Sequence, residues 1–202
     1  MTTIVDYGMG NLGSVVNMFK KINSPCELTN DLDTISRAKK ILLPGVGAFD
    51  TAMDRINNSG MLSILNDKAL KEKVPVLGIC LGMQLLTRGS EEGKLAGLGW
   101  VDAFTYSFNN RIEKQLKIPH MGWNLVSISA ATPLTANFSG ETRFYFVHSY
   151  FVTTRPENSM MKTSYGLEFD SALHSDNIFG AQFHPEKSHK FGMQLFKNFA
   201  SL

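Results

Sequence analysis

The sequence predicts an α/β protein with an open, mostly parallel central sheet flanked by helices and added antiparallel strands in the C-terminal half. Three observations carry this. Short apolar runs alternate with amphipathic helical patterns through the first half, as in a parallel sheet with helices on its faces. Strand-like segments crowd the second half with little helix between them. Glycines frame the corners where early strands turn into helices, as tight turns need.

Taken in order, Thr3–Tyr7 reads as a strand and Ser14–Lys21 as a helix, with Val15, Phe19 and Ile22 on one face. Lys40–Leu43 is the next strand. Asp50–Ile56 and Met61–Leu70 read as helices separated by the turn Asn57–Gly60, and Val74–Ile79 is again a strand. The amphipathic segment Met83–Arg88 leaves the corner that follows. Trp100–Phe108, Trp123–Ile128, Thr142–Thr153, Ser164–Leu173 and Ile178–Phe183 are the strand-like segments of the second half. Ser188 stands where it caps a final helix, with Phe191, Leu195, Phe199 and Leu202 spaced as its core face.

At 202 residues the chain suits one domain, 1–202, and 43% hydrophobic residues supply a sizeable core. The net charge of +2 is scattered, which argues against a nucleic-acid or membrane-surface partner. Two cysteines, Cys26 and Cys80, make no disulfide framework. The N-terminus lacks the basic and apolar regions of a signal peptide, and no apolar run has bilayer length. A soluble, cytoplasmic protein is expected, where a reduced thiolate survives.

Cys80 lies in Gly78-Ile79-Cys80-Leu81-Gly82, directly after a strand. Such a corner lifts a nucleophile clear of the backbone at a helix N-terminus, where the thiolate is favoured. The bland alternative is a small buried hydrophobe. Phe183-His184-Pro185-Glu186 brings a histidine to the end of a late strand with a carboxylate two residues on, so both side chains share one side of an extended backbone. A thiol nucleophile needs such a base, and the base needs a carboxylate to hold its tautomer. Pro44-Gly45-Val46-Gly47 ends an earlier strand and can turn a backbone N–H toward an oxyanion, with the N–H of Leu81 as second donor. A plain turn reads equally well there.

Gly8-Met9-Gly10-Asn11-Leu12-Gly13 fits a dinucleotide fingerprint, with Asp31 and Asp33 downstream. The strand-to-helix corner needs glycines for geometry in any case. His120, His148, His174 and His189 read as isolated, and no Cys/His cluster has metal-ligand spacing; neither metal nor cofactor is expected.

Together the elbow and the late His-Pro-Glu segment resemble the class I, triad-type glutamine amidotransferases. Further segments extend the resemblance along nearly the whole chain: Asp6–Asn11, Pro44–Phe49, Gly78–Gln84, Pro119–Asn124, Phe144–Tyr150 and Gln182–Ser188. Within that family the chain is most similar to the glutaminase subunits of imidazole glycerol phosphate synthase, in histidine biosynthesis. The resemblance implies Cys80 as nucleophile on the glutamine side-chain amide, His184 as general base and then acid, and Glu186 as its orienter. It implies an oxyanion hole from Val46, Gly47 and Leu81. It implies glutamine contacts from Gly45, Gln84, Glu92 and the backbones of Ser149 and Tyr150. It also implies a heterodimer with a (β/α)8-barrel cyclase subunit, faced by Asn11, Trp123, Tyr145 and Lys187. That partner would take up the ammonia, and its binding would switch the Val46 peptide.

The segments Ser107–Glu113 and Lys187–Met193 also resemble paralogues that feed ammonia to a sugar-modifying partner in surface-polysaccharide synthesis. A non-catalytic glutamine-sensing subunit is an alternative from another class. The intact set of Cys80, His184 and Glu186 argues against it.

Overall fold

The computed structural model describes residues 1–202. Its strands are β1 (Thr2–Val5), β2 (Cys26–Thr29), β3 (Ile41–Gly45), β4 (Val76–Cys80), β5 (Ala103–Ser107), β6 (His120–Ile128), β7 (Thr142–His148), β8 (Tyr150–Thr154), β9 (Ser159–Ser164), β10 (Glu168–Ser175) and β11 (Ile178–Ala181). The helices are α1 (Leu12–Lys21), α2 (Leu32–Ser36), α3 (Phe49–Asn58), α4 (Met61–Asn66), α5 (Leu81–Leu85) and α6 (His189–Ala200). A π turn over Asp67–Lys71 continues α4.

The sheet runs β2-β1-β3-β4-β11-β10-β9-β6-β7, with β8 pairing β10 and β5 off this path. The pairs from β2 to β11 are parallel, and those beyond β11 are antiparallel. The expected mixed architecture is therefore present. Residue alternation along the parallel strands feeds two cores, because successive side chains leave opposite faces. Val5, Ile41, Leu43 and Val76 join α3 and α4 in a cluster of 25 buried residues. Ile4, Leu42, Leu77 and Ile79 join α1, α6 and the aromatic side chains of β7 in a second cluster of 24. Both faces are covered to a similar extent, so the central strands β3 and β4 read as near-continuous apolar runs.

Strand order places the site. β4 sits between β3 and β11, so the C-terminal ends of three strands distant in sequence meet at one point. The last β3–β4 pair is Gly45 with Cys80. On the other side Ala181 pairs with Ile79, so Gln182 follows alongside Cys80.

Several segments differ from expectation. Thr142–Thr153 is two strands, since the chain breaks register at Ser149 between β7 and β8. Ser164–Leu173 spans the end of β9, a turn and most of β10. β2 and α2 were hidden because they are short and lie at an edge, where half-buried side chains give weak periodicity. Ser188 occupies the N-cap position of α6 but makes no capping bond. Its hydroxyl donates to His184 O at 2.6 Å and accepts from Tyr145 N–H at 2.9 Å. Leu195 and Phe199 are core, whereas Leu202 is exposed.

Candidate active site

Cys80 ends β4 with φ +53°. A non-glycine residue rarely holds that conformation, so the strain of the corner rests on Cys80 itself. Gly78 and Gly82 serve a different need. A Cβ on Gly82 would run into the Leu43 carbonyl, and one on Gly78 would press on the backbone of Gly82 and Met83. The two glycines let α5 lie directly against β3 and β4.

His184 follows β11 and reaches the same point. Its Nδ1 lies 2.8 Å from Glu186 Oε1, and both side chains are almost wholly buried. Nε2 makes no hydrogen bond of ordinary length and turns into the cleft, where Cys80 is its interaction partner. Burial alone would lower the His184 pKa. The hydrogen bond and charge offered by Cys80, then those of Glu186, outweigh it and push the value up to about 10. The imidazole is thus set to hold a proton beside the Cys80 side chain. Glu186 stays behind His184 and does not line the cleft; its Oε2 is buried without a partner.

The turn after β3 forms the opposite wall. Val46 and Gly47 line the cleft with Leu81, and their own N–H groups make no hydrogen bond within the chain. Leu81, at the start of α5, is among the residues whose N–H a helix leaves without an internal acceptor. Gly45 is buried behind this wall, where a Cβ would strike the Tyr7 hydroxyl. It sets the turn beside Cys80, next to the residues that line the cleft. The Tyr7 hydroxyl donates to Pro44 O at 2.6 Å. Burial first, and the charge of Cys80 second, push its pKa far above the ordinary range, so it keeps its proton.

The cleft has a volume of about 300 Å³ and gathers Cys80, His184, Gln84, Glu92, Ser149 and Tyr150, together with the Val46–Gly47 turn and Leu81. Glu91 is committed elsewhere, paired with both Arg111 guanidinium nitrogens at 2.7 and 2.8 Å. Glu92 is the carboxylate that faces the cleft, and it accepts from Phe49 N–H at 3.1 Å. Burial raises its pKa against the lowering effect of that N–H. The carbonyls of Ser149 and Tyr150 are already used, by Phe108 N–H at 3.1 Å and by His148 Nδ1 at 2.7 Å. The free N–H of Ser149 is the group left to meet a ligand.

Sequence reading missed a buried network behind this wall. His120 and His148 are not isolated; they face each other across β6 and β7, with Nδ1 of one 2.9 Å from Nε2 of the other. Tyr150 O must accept, so His148 Nδ1 donates to it, His148 Nε2 accepts from His120 Nδ1, and Asn124 Nδ2 donates to His120 Nε2 at 3.2 Å. The chain closes only with both rings neutral. Burial lowers His120 to about 4 and His148 to about 3, which agrees. The signal available in sequence was the matched positions of two histidines on adjacent antiparallel strands, visible only once register is known.

The residues of the dinucleotide-like fingerprint are engaged within the chain. Arg55 donates to Gly8 O, Gly10 packs near Gly45, and Asp31 caps α2 by accepting from Thr34 N–H at 2.8 Å. On the outer surface Trp123, Tyr145 and Lys187 do come together. The two rings lie 6.2 Å apart, and Lys187 Nζ is 5.6 Å over the Tyr145 ring. Met121, Trp123 and Leu125 expose one apolar face of β6. Asn11 is exposed at the start of α1, apart from this cluster.

The chain belongs to the glutamine amidotransferase class-I family, whose model matches residues 3–201. A solved crystal structure of a glutamine amidotransferase superposes with a TM-score of 0.76 at 14% identity, covering 100% of this chain and 99% of that one, which supports the fold. Closer in sequence are two proteins named imidazole glycerol phosphate synthase subunit HisH 2. The one from Methanococcus maripaludis is 53% identical over 98% of both chains. The one from Pseudomonas aeruginosa is 45% identical over 100% of both chains.

Proposed function

We propose that this chain is the glutaminase subunit of an imidazole glycerol phosphate synthase, hydrolysing L-glutamine to glutamate and handing ammonia to a (β/α)8 cyclase subunit in the cytoplasm. The observation that carries the chemistry is the convergence of Cys80, His184 and Glu186 on adjacent strand ends, at the floor of a cleft walled by free N–H groups.

His184 Nε2 takes the Cys80 proton, and Glu186 stabilises the resulting imidazolium. The thiolate attacks the side-chain amide carbon of glutamine. The negative charge that develops on the amide oxygen is held by N–H groups of the Val46–Gly47 turn and Leu81. His184 protonates the departing nitrogen, ammonia leaves, and a γ-glutamyl thioester remains on Cys80. Water then attacks the thioester as His184 removes its proton. The C–S bond breaks, the thiol is restored and glutamate departs. Glu92 suits the α-ammonium of the substrate, and the Ser149 N–H suits its α-carboxylate. Gln84, whose nitrogen is used internally, offers its carbonyl oxygen.

The exposed apolar face of β6 and the Trp123–Tyr145–Lys187 cluster support a protein partner, because aromatic and cationic side chains dominate such interfaces. The segments Ser107–Glu113 and Lys187–Met193 support one alternative acceptor, a sugar-modifying enzyme of surface-polysaccharide synthesis. Glutamate release is assayed for the chain alone, with the histidine-pathway barrel and with the polysaccharide enzyme. Weak turnover alone and strong stimulation by the first barrel is the expected result. Full activity alone contradicts the partner-dependent oxyanion hole, and stimulation by the second enzyme only reassigns the pathway.

A further inference from the structure

We propose that Gln182 is a further residue of the catalytic machinery, donating a hydrogen bond from its side-chain amide to the Cys80 sulfur. Gln182 is fully buried and follows β11 directly, on the opposite side of Cys80 from Gly45. Its Nε2 lies 3.7 Å from Cys80 Sγ, within range for an N–H···S bond. The backbone is pinned by its own N–H donating to Ser171 O at 2.9 Å.

The orientation of the amide follows from the network around it. Tyr150 O is a carbonyl and only accepts. It is approached by Gln84 Nε2 at 3.5 Å, so the nitrogen of Gln84 points that way. That same nitrogen lies 3.0 Å from the Gln182 side chain, which must therefore present its oxygen, Oε1. Nε2 of Gln182 is left facing the sulfur. Turning the Gln182 amide over would set donor against donor at Gln84 and an acceptor against the sulfur.

The nucleophile then has the His184 imidazole on one side and the Gln182 amide donor on the other, in a setting largely closed to water. The other titratable groups around the sulfur are Tyr7, whose proton is held in its bond to Pro44, Glu92 and Tyr150 on the cleft wall, and His148, which lines the cleft and stays neutral in its chain of hydrogen bonds. His184 gives up and regains its proton during turnover. Gln182 has none to exchange, so it is the donor that persists through every anionic state of the sulfur. A donor to a charged group in such a place changes its equilibrium by about tenfold or more.

This assignment rests on the glutaminase reading, yet its test needs no glutamine. Gln182→Met keeps length and removes the amide; Gln182→Glu keeps shape and replaces the donor by an acceptor. Alkylation of Cys80 by iodoacetamide is followed across pH, with folding checked by circular dichroism and urea midpoint. The expected result is alkylation about tenfold slower at neutral pH in both folded variants, with the profile displaced to higher pH. If Q182E does not fold, Q182M alone decides. An unchanged profile in folded Q182M overturns the proposal and leaves glutamine hydrolysis untouched. Slowed alkylation of the variants as expected, together with no glutaminase activity in the native complex, would sink the functional reading and leave the Gln182 assignment standing.

Discussion

Tyr145 and His184 are tied backbone to backbone: His184 N–H donates to Tyr145 O at 2.8 Å, while Tyr145 N–H donates to the Ser188 hydroxyl that in turn bonds His184 O. The Tyr145 ring lies outside, against Lys187 and Trp123, and the His184 imidazole lies inside, against Cys80. One residue therefore belongs to the exposed cluster with its side chain and to the site with its backbone. If the barrel docks on this cluster, Trp123→Ala removes an exposed aromatic anchor. It should weaken the complex by about tenfold or more in titration calorimetry. Unchanged affinity would place the interface elsewhere.

The Glu186 carboxylate holds His184 by a single contact to Nδ1, and nothing else in the chain takes its other oxygen. Glu186→Gln keeps the shape and removes the charge that stabilises the imidazolium. The expected loss is at least about a hundredfold in kcat, with little change in KM, as for triads elsewhere. Steady-state kinetics of the partnered enzyme reads it. A loss confined to KM would assign Glu186 to substrate binding.

The histidines predict stability that falls on both sides of neutral pH. His120 and His148 have folded pKa values of about 4 and about 3, below the ordinary 6.5. The unfolded chain binds more protons than the folded one between those values and 6.5, so stability is full above 6.5 and is lost as pH falls through that window. His184 has the opposite sign. Its folded value of about 10 contributes stability below 6.5 that is lost as pH rises toward 10. Urea midpoints from pH 4 to 10 should trace a dome. In His148→Gln the acid limb should be shallower, and an acid limb as steep as in the native protein would show that the buried pair is not its source.

Packing at the elbow predicts a steric limit. Gly82→Ala drives a methyl group into the Leu43 carbonyl, which belongs to a central strand and cannot step aside. Overpacking of this kind costs about 1–3 kcal/mol. Gly99→Ala adds a methyl group in open space, so only the cost of its positive φ applies there. Denaturant unfolding of the two variants should rank Gly82→Ala as the more damaging. The reverse order would mean that α5 does not lie against β3 as described.

Much of this was legible in the chain before folding. Near-continuous apolar runs marked β3 and β4, because strands buried on both faces leave no polar alternation to misread. The elbow and the His184–Glu186 pair were visible because each is local: a glycine on either side, or a carboxylate two residues on. What stayed hidden depends on register. Gln182 sits beside Cys80 only because β11 inserts next to β4, and the His120–His148 pair exists only because β6 and β7 align those two positions. The need for glycine at position 45 was also hidden, because its close neighbours Tyr7 and Leu81 come from other elements.

The central claim, that Cys80 attacks the side-chain amide of glutamine, is tested most directly by trapping it. The chain, together with the proposed barrel subunit, is incubated with a glutamine analogue bearing an electrophile at the amide position, and the labelled residue is located by mass spectrometry. Cys26, half-exposed and far from His184 in the fold, is the internal control. The account predicts one adduct, on Cys80, slowed by added glutamine and absent in Cys80→Ala. Label on Cys26 at an equal rate, or on Cys80 without protection by glutamine, would contradict it.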